Sequence, residues 1–155
     1  MKLLFICTHN RCRSIIAEAV CNQFGQGRLI ARSAGSQPAG EVHPLSLKYL
    51  AEAGIDTDGL RSKSWHEHEQ WQPDVVITVC DAAAGESCPV WFGKALKVHW
   101  GVADPSRLDG DDDDIANAFR ATISLFSQRI NALLDANADT LQGEQLAAIF
   151  HQQGQ

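Results

Sequence analysis

The run Val75-Val76-Ile77-Thr78-Val79 is apolar or β-branched at odd and even positions alike. Alternate residues of a strand face opposite sides of its sheet, so a run of this kind is buried on both faces. Helices must then cover both sides, which restricts the chain to an α/β fold with a parallel sheet. Three further short runs read the same way: Lys2–Ile6, Arg28–Ser33 and Ala95–Trp100, the third strand taking in Asp74–Val79. Segments of helical period lie between and after them. Ser14–Phe24 is closed by Gly25 and Gly27, and Pro44–Ala53 by Gly54. Ile115–Ala136 repeats Ile115, Phe119, Ile123, Phe126, Ile130 and Leu133 along one face. The carboxylates Asp111–Asp114 precede it, where they favour the helix dipole. A short terminal helix is expected over Gly143–His151. No repeat or linker interrupts the pattern, and a single domain over residues 1–155 is expected.

The formal net charge is −6, which argues against nonspecific binding to nucleic acid or to anionic membranes. Any anion site must therefore be a local feature on an acidic background. No apolar stretch reaches bilayer length, and the apolar start Met1–Cys7 is too short for a signal peptide, so a cytoplasmic location is expected. The five cysteines form no secreted disulfide framework. In a reducing compartment, cysteines at turns serve catalysis or metal binding more often than cross-linking.

The first predicted strand runs directly into Cys7-Thr8-His9-Asn10-Arg11-Cys12-Arg13-Ser14, and a helix follows. In such a turn the N–H groups converge and the helix N-terminus adds partial positive charge. Arg13 supplies a planar fork suited to a tetrahedral oxyanion. Cys7 in that field is expected to be a thiolate near neutral pH, with Ser14 donating a hydrogen bond to its sulfur. A metal reading has Cys7 and Cys12 with His9 between them, but Arg13 in the middle argues against a cation. Cys7, Ser33, Cys80 and Asp104 each close or follow a predicted strand. Ligands of open parallel sheets bind outside the carboxyl ends of the strands, so all four belong on one rim. Asp104 is placed to be a general acid, on a loop stiffened by Pro105.

The loop Cys7–Ser14, with Asn10 and Cys12 at its inner positions, resembles the signature of the low-molecular-weight protein tyrosine phosphatase family. Ser-Ala-Gly-Ser at Ser33–Ser36 and Ala-Asp-Pro-Ser at Ala103–Ser106 resemble that family's later motifs, in family order. His9 stands where the phosphatases usually carry Gly. The resemblance implies a flavodoxin-like three-layer sandwich with a four-stranded parallel sheet in the order 2-1-3-4. The stretch from Thr78 to Gly93, with Cys80 and Cys88, is similar to the cysteine pair of the thioredoxin-type arsenate reductases on the same fold. Their branch implies reduction of arsenate to arsenite. In that reading Cys7 is the nucleophile and Thr8, His9, Asn10, Arg11, Cys12, Arg13 and Ser14 form the oxyanion loop. Asp104 is the acid, and Cys80 and Cys88 are the disulfide relay. Phosphate and sulfate would mimic the substrate. The electron donor would be thioredoxin or glutaredoxin with glutathione. The Cys80–Cys88 spacing is one residue longer than in the best-known thioredoxin-linked members. No tightly bound cofactor is implied and a monomer is expected. Some family members use potassium beneath the loop; Asn10, Glu18 and Ser33 match three of its positions, and no fourth carboxylate is found around Ser62–Trp65. The alternatives are a tyrosine phosphatase with incidental cysteines, for which Ser106 lacks the aromatic usual after Asp-Pro, and a noncatalytic oxyanion sensor.

Other conspicuous residues read as structural. Cys12 is assigned to packing beneath the loop, with an oxidative pairing to Cys7 as the alternative, and Cys21 to the core. His66-Glu67-His68-Glu69 reads as a solvated helix start rather than a metal cluster, and the Asp109–Asp114 run as solvated. Trp65 and Trp71 are candidates to wall the active site; Trp91 and Trp100 are read as core or rim.

Overall fold

The structure is a computed structural model and describes residues 1–84 and 92–155. Four strands, β1 (Lys2–Ile6), β2 (Ile30–Ala34), β3 (Val75–Thr78) and β4 (Leu96–His99), form one parallel sheet in the order β2-β1-β3-β4. The helices are α1 (Arg13–Phe24), α2 (Pro44–Glu52), α3 (Asp81–Ala84), α4 (Asp112–Asp135) and α5 (Gly143–Gln153). Leu3, Leu4, Phe5 and Ile6 are all buried, although they alternate between the two faces, so central β1 is covered on both sides. Helix α1 lies against β1, β2 and α4, while α5 lies against β4.

The register explains where the site is. Ile6 pairs with Ala34 and with Thr78, and Thr78 with His99. All four strands therefore end level, and the loops after them meet on one rim. Cys7, Gly35, Cys80 and the segment leading to Asp104 all leave the sheet there.

Differences from the sequence reading have local causes. β2 begins two residues after Arg28, because Arg28 and Leu29 donate to Gly25 O and complete the turn after α1. Arg28 is held outside the sheet by Asp139 at 2.7 Å. Helix α4 starts at Asp112 rather than Ile115, because Asp111 and Asp114 form a reciprocal capping box. The one-turn helix α3 carries no periodicity of its own. Trp100 is core, with its indole N–H donating to Phe150 O at 2.8 Å and its ring stacked on Phe150. No helix among the described residues is long and apolar enough to cross a membrane.

Candidate active site

The segment Cys7–Arg13 bends around a cavity of about 290 Å³, and its outward side is fastened. Thr8 O accepts from Gln37 N at 2.9 Å, His9 O from Ala39 N at 3.0 Å, and Arg11 O from His43 N at 2.9 Å. Ser62 Oγ also donates to His9 O, at 3.0 Å. A trans peptide points its N–H opposite to its carbonyl. With these carbonyls held outward, the amides of His9, Asn10 and Cys12 turn toward the concave side, which is the arrangement of an anion nest. Helix α1 begins at Arg13 with no side-chain cap and no acidic residue in its first turn, so its first amides keep their capacity for a ligand. The contrast with the fully capped α4 is direct.

The bend depends on two residues. Asn10 has φ of +46°, the left-handed region in which Asn is tolerated better than most residues. His9 does not share that conformation, so a side chain in place of the phosphatases' Gly is accommodated. Its ring Nδ1 lies 3.0 Å from Gln37 O. Buried Asn10 is fully used: its Nδ2 donates to Ser14 Oγ at 2.8 Å and Ser33 Oγ at 3.0 Å, and its Oδ1 accepts from Lys63 N at 2.9 Å. Ser14 therefore meets Asn10 and not the Cys7 sulfur, contrary to expectation. It supports the loop instead of the nucleophile. Gly35 supplies the space underneath: a Cβ there would stand 2.4 Å from Thr8 O and 2.6 Å from Cys7 O.

Cys7, Cys12, Arg13, Cys80, Asp104, Ser106 and Arg107 line the cavity. Arg13 Nη1 donates to Val102 O at 2.9 Å, and Nη2 lies 3.6 Å from Asp104 Oδ2. Among the described residues its buried Nε has no partner, which leaves it available to an oxyanion. Asp104 caps the turn that follows it, accepting from Ser106 N at 2.9 Å and Ser106 Oγ at 2.6 Å. Asp81, at the cavity edge beside Cys80, is 2.9 Å from His99 Nε2, and His99 Nδ1 is 2.8 Å from Thr78 Oγ1. Asp81 and Arg107 were not singled out in the sequence, where nothing marks them apart from their neighbours Cys80 and Asp104.

The electrostatics of the two central thiols are coupled. The proximity of Cys7 and Cys80 is the largest influence on both: it pushes the Cys7 thiol up, aided by burial, and pulls Cys80 down to about 5. Arg13 and the Thr8 amide act in the opposite direction on Cys7. The Thr8 and Ala83 amides and the Thr8 side chain, whose Oγ1 lies 3.8 Å from the Cys80 sulfur, also lower Cys80. The two thiols thus behave as a pair that shares one proton and one negative charge. The thiolate expected at Cys7 is therefore one member of a pair, and the turn into α3 competes with the loop for its charge. Replacing Cys80 by Ser removes the partner that raises Cys7. Cys7 is then expected to ionise within the range of roughly 3.5–7.5 shown by thiols at helix N-termini and beside cations. Iodoacetamide alkylation of Cys7 against pH reads this directly. A Cys7 titration unchanged by Cys80→Ser would show that no proton is shared.

The remaining assignments divide. Cys12 is buried against the loop and burial raises its thiol to about 11; Cys21 is core and is raised to about 12 by burial. Trp65 packs edge-on against Phe92, and Trp71 lies under Arg32 and Lys2; neither walls the cavity. His66–Glu69 is not a uniformly solvated helix start. Trp65–His68 is a short 3-10 helix in which His68 is buried, with Nε2 3.0 Å from Ser33 O. Among the described residues no group of three or more His, Cys, Asp or Glu side chains is placed to hold a metal ion. Cys88 and Trp91 lie outside the described residues. Beneath the loop, where Asn10, Glu18 and Ser33 suggested potassium, the Lys63 ammonium is hydrogen-bonded to Glu18 and Ser33. Burial pulls the Lys63 pKa down while Glu18 pulls it back up.

Residues 2–146 match the family of the low molecular weight phosphotyrosine protein phosphatase, and the chain belongs to that family. Among its relatives, the arsenate reductase of Halalkalibacterium halodurans is 31% identical over 86% of this chain and 94% of its own. The glutaredoxin arsenate reductase of Synechocystis is 29% identical over 86% of this chain and 95% of its own. The solved thioredoxin-dependent arsenate reductase of Corynebacterium glutamicum superimposes with a TM-score of 0.65 at 31% identity. That superposition covers 87% of this chain and 60% of that one.

Proposed function

We propose that the chain reduces arsenate to arsenite, using Cys7 as nucleophile and Cys80 and Cys88 as an internal dithiol. The observation that carries this reading is the seat of Cys80: it lines the oxyanion cavity together with Cys7, near enough that each thiol is the largest influence on the ionisation of the other. Hydrolysis of a phosphate ester has no use for a second thiol in contact with the first. Reduction requires one.

The tetrahedral oxyanion enters the loop and takes the inward amides and the Arg13 guanidinium. Cys7 sulfur attacks arsenic as the thiolate, with the proton of the pair on Cys80, and Asp104 protonates the departing oxygen, which leaves as water. Cys80 then loses its proton to solvent and attacks the Cys7 sulfur. The S–As bond breaks, its electron pair stays with arsenic, and arsenite departs. A Cys7–Cys80 disulfide remains. Cys88 attacks Cys80 by thiol–disulfide exchange and frees Cys7. An external dithiol reduces Cys80–Cys88. Relatives are linked to both glutaredoxin and thioredoxin by name, and either donor suits a cytoplasmic enzyme with no resident cofactor.

The test is arsenate turnover by wild type, Cys80→Ser and Cys88→Ser, with thioredoxin and its reductase in one assay and glutaredoxin with glutathione in another. Wild type is expected to turn over repeatedly with one donor. Cys80→Ser is expected to make no arsenite, and Cys88→Ser at most one equivalent in the thioredoxin assay. Hydrolysis of p-nitrophenyl phosphate without arsenite, unimpaired by Cys80→Ser, would replace the reductase with a phosphatase.

A further inference from the structure

A carboxylate buried beneath an anion site is an electrostatic burden, because it repels the ligand and needs a counter-charge of its own. Glu18, on the second turn of α1, is such a group and is 8% exposed. Its Oε1 accepts from Ser33 Oγ at 2.8 Å and from Lys63 Nζ at 3.3 Å. Lys63 Nζ also donates to Ser33 Oγ at 3.3 Å and to Arg61 O at 2.9 Å. An ammonium has three N–H donors, and three oxygens surround this one. The same residue reaches the loop by its main chain, since Lys63 N donates to Asn10 Oδ1 and Lys63 O accepts from Gly35 N at 3.0 Å. Ser33 Oγ closes the circuit by accepting from Asn10 Nδ2.

We propose that Lys63 is a built-in monovalent cation of the oxyanion site, a positioning residue that neutralises Glu18 and fixes Asn10 in its left-handed conformation. The residues that a potassium ion would use do not fit one here. The Glu18 and Ser33 oxygens are already bound by a tethered ammonium, and one buried carboxylate does not balance two cations in contact. The oxyanion affinity of this chain is then independent of potassium, because its cation is supplied by its own sequence. The proposal rests on the loop being an oxyanion cradle, and does not depend on whether the bound oxyanion is reduced.

The experiment is calorimetric titration of the full chain with inorganic phosphate, as its tetramethylammonium salt, in tetramethylammonium chloride and in potassium chloride at equal ionic strength. Wild type is expected to bind phosphate equally in both salts. Lys63→Ala leaves Glu18 unpaired beside open space; it is expected to lose about tenfold in affinity in tetramethylammonium, a size common for coupled sites, and to regain most of it in potassium. Lys63→Met fills the space without charge and is expected to lose affinity in both salts. Melting curves establish that each variant is folded. A purely packing role would not give a potassium-specific recovery. The proposal is overturned if potassium tightens phosphate binding to wild type tenfold, if Lys63→Ala binds like wild type in tetramethylammonium, or if its loss is not recovered by potassium. The wild-type comparison decides by itself if Lys63→Ala does not fold. Failure of wild type to bind phosphate in either salt would remove the cradle reading and this one together; the other adverse results remove this one alone.

Discussion

Cys7→Ser is expected to abolish arsenite production and any hydrolysis of p-nitrophenyl phosphate, with a loss on the order of 10⁴-fold or more. The substitution exchanges one atom at the end of β1, where Cys7 N donates to Ala34 O at 3.2 Å and the side chain is largely buried. The loop carbonyls keep their partners on residues 37–46, so the cradle should persist and phosphate should still bind. What disappears is a sulfur able to attack arsenic and later to accept Cys80. A serine hydroxyl has no accessible thiolate-like form, and its oxygen cannot join a disulfide. The measurement is arsenite release and phosphate affinity on the same preparation. Retained turnover would move the nucleophile to another thiol, and lost phosphate binding would show that the sulfur also shapes the cradle.

The second large effect is expected at Arg13. Arg13→Lys keeps the charge but removes the planar fork, whose Nη1 is tied to Val102 O, whose Nη2 faces Asp104 and whose Nε has no partner among the described residues. A lysine cannot satisfy the Val102 carbonyl, approach Asp104 and meet an oxyanion edge at once. A drop of about 10²–10³-fold in kcat/KM for arsenate is expected, comparable to removal of one oxyanion donor elsewhere. Because Arg13 also opposes the rise of the Cys7 thiol, the substitution changes the ground state as well as the transition state. Phosphate affinity and kcat/KM should therefore fall together. A variant that keeps both within a few-fold of wild type would show that the amides alone hold the oxyanion.

Much of the site could be read from the sequence because its main parts are contiguous. Cys7 to Ser14 form one turn between one strand and one helix, and turn geometry follows from local sequence. The common rim was accessible for a similar reason, because short apolar runs separated by helices mark a parallel sheet, whereas the strand order came from the resemblance of the Cys7–Ser14, Ser33–Ser36 and Ala103–Ser106 motifs to the phosphatase family. What was missed depends on contacts between distant positions. Lys63 lies 45 residues from Glu18, in a segment with no period, and only folding shows that its ammonium points inward. His68 looked like one of four polar neighbours, yet its ring is turned under β2 to Ser33 O. The sharing of charge between Cys7 and Cys80 was hidden for a related reason. The loop around Cys7 was visible, whereas the contact between its Thr8 and Cys80 joins positions 72 residues apart. Trp65 and Trp71 were drawn to the site by proximity to polar residues, but their rings pack against Phe92 and Arg32.

The space over Gly35 has a consequence for how this chain can vary. A methyl group there would lie 2.4 Å from one loop carbonyl oxygen and 2.6 Å from the next, and backbone cannot yield as a flexible side chain would. Even alanine would lift one shoulder of the loop and splay the amides that converge on the anion. In a saturation library selected for arsenate tolerance, position 35 would retain only glycine. It would be indistinguishable in such a survey from a residue that touches substrate, although its backbone bonds to Lys63 and Trp65 are open to any residue and only its lack of a side chain is required.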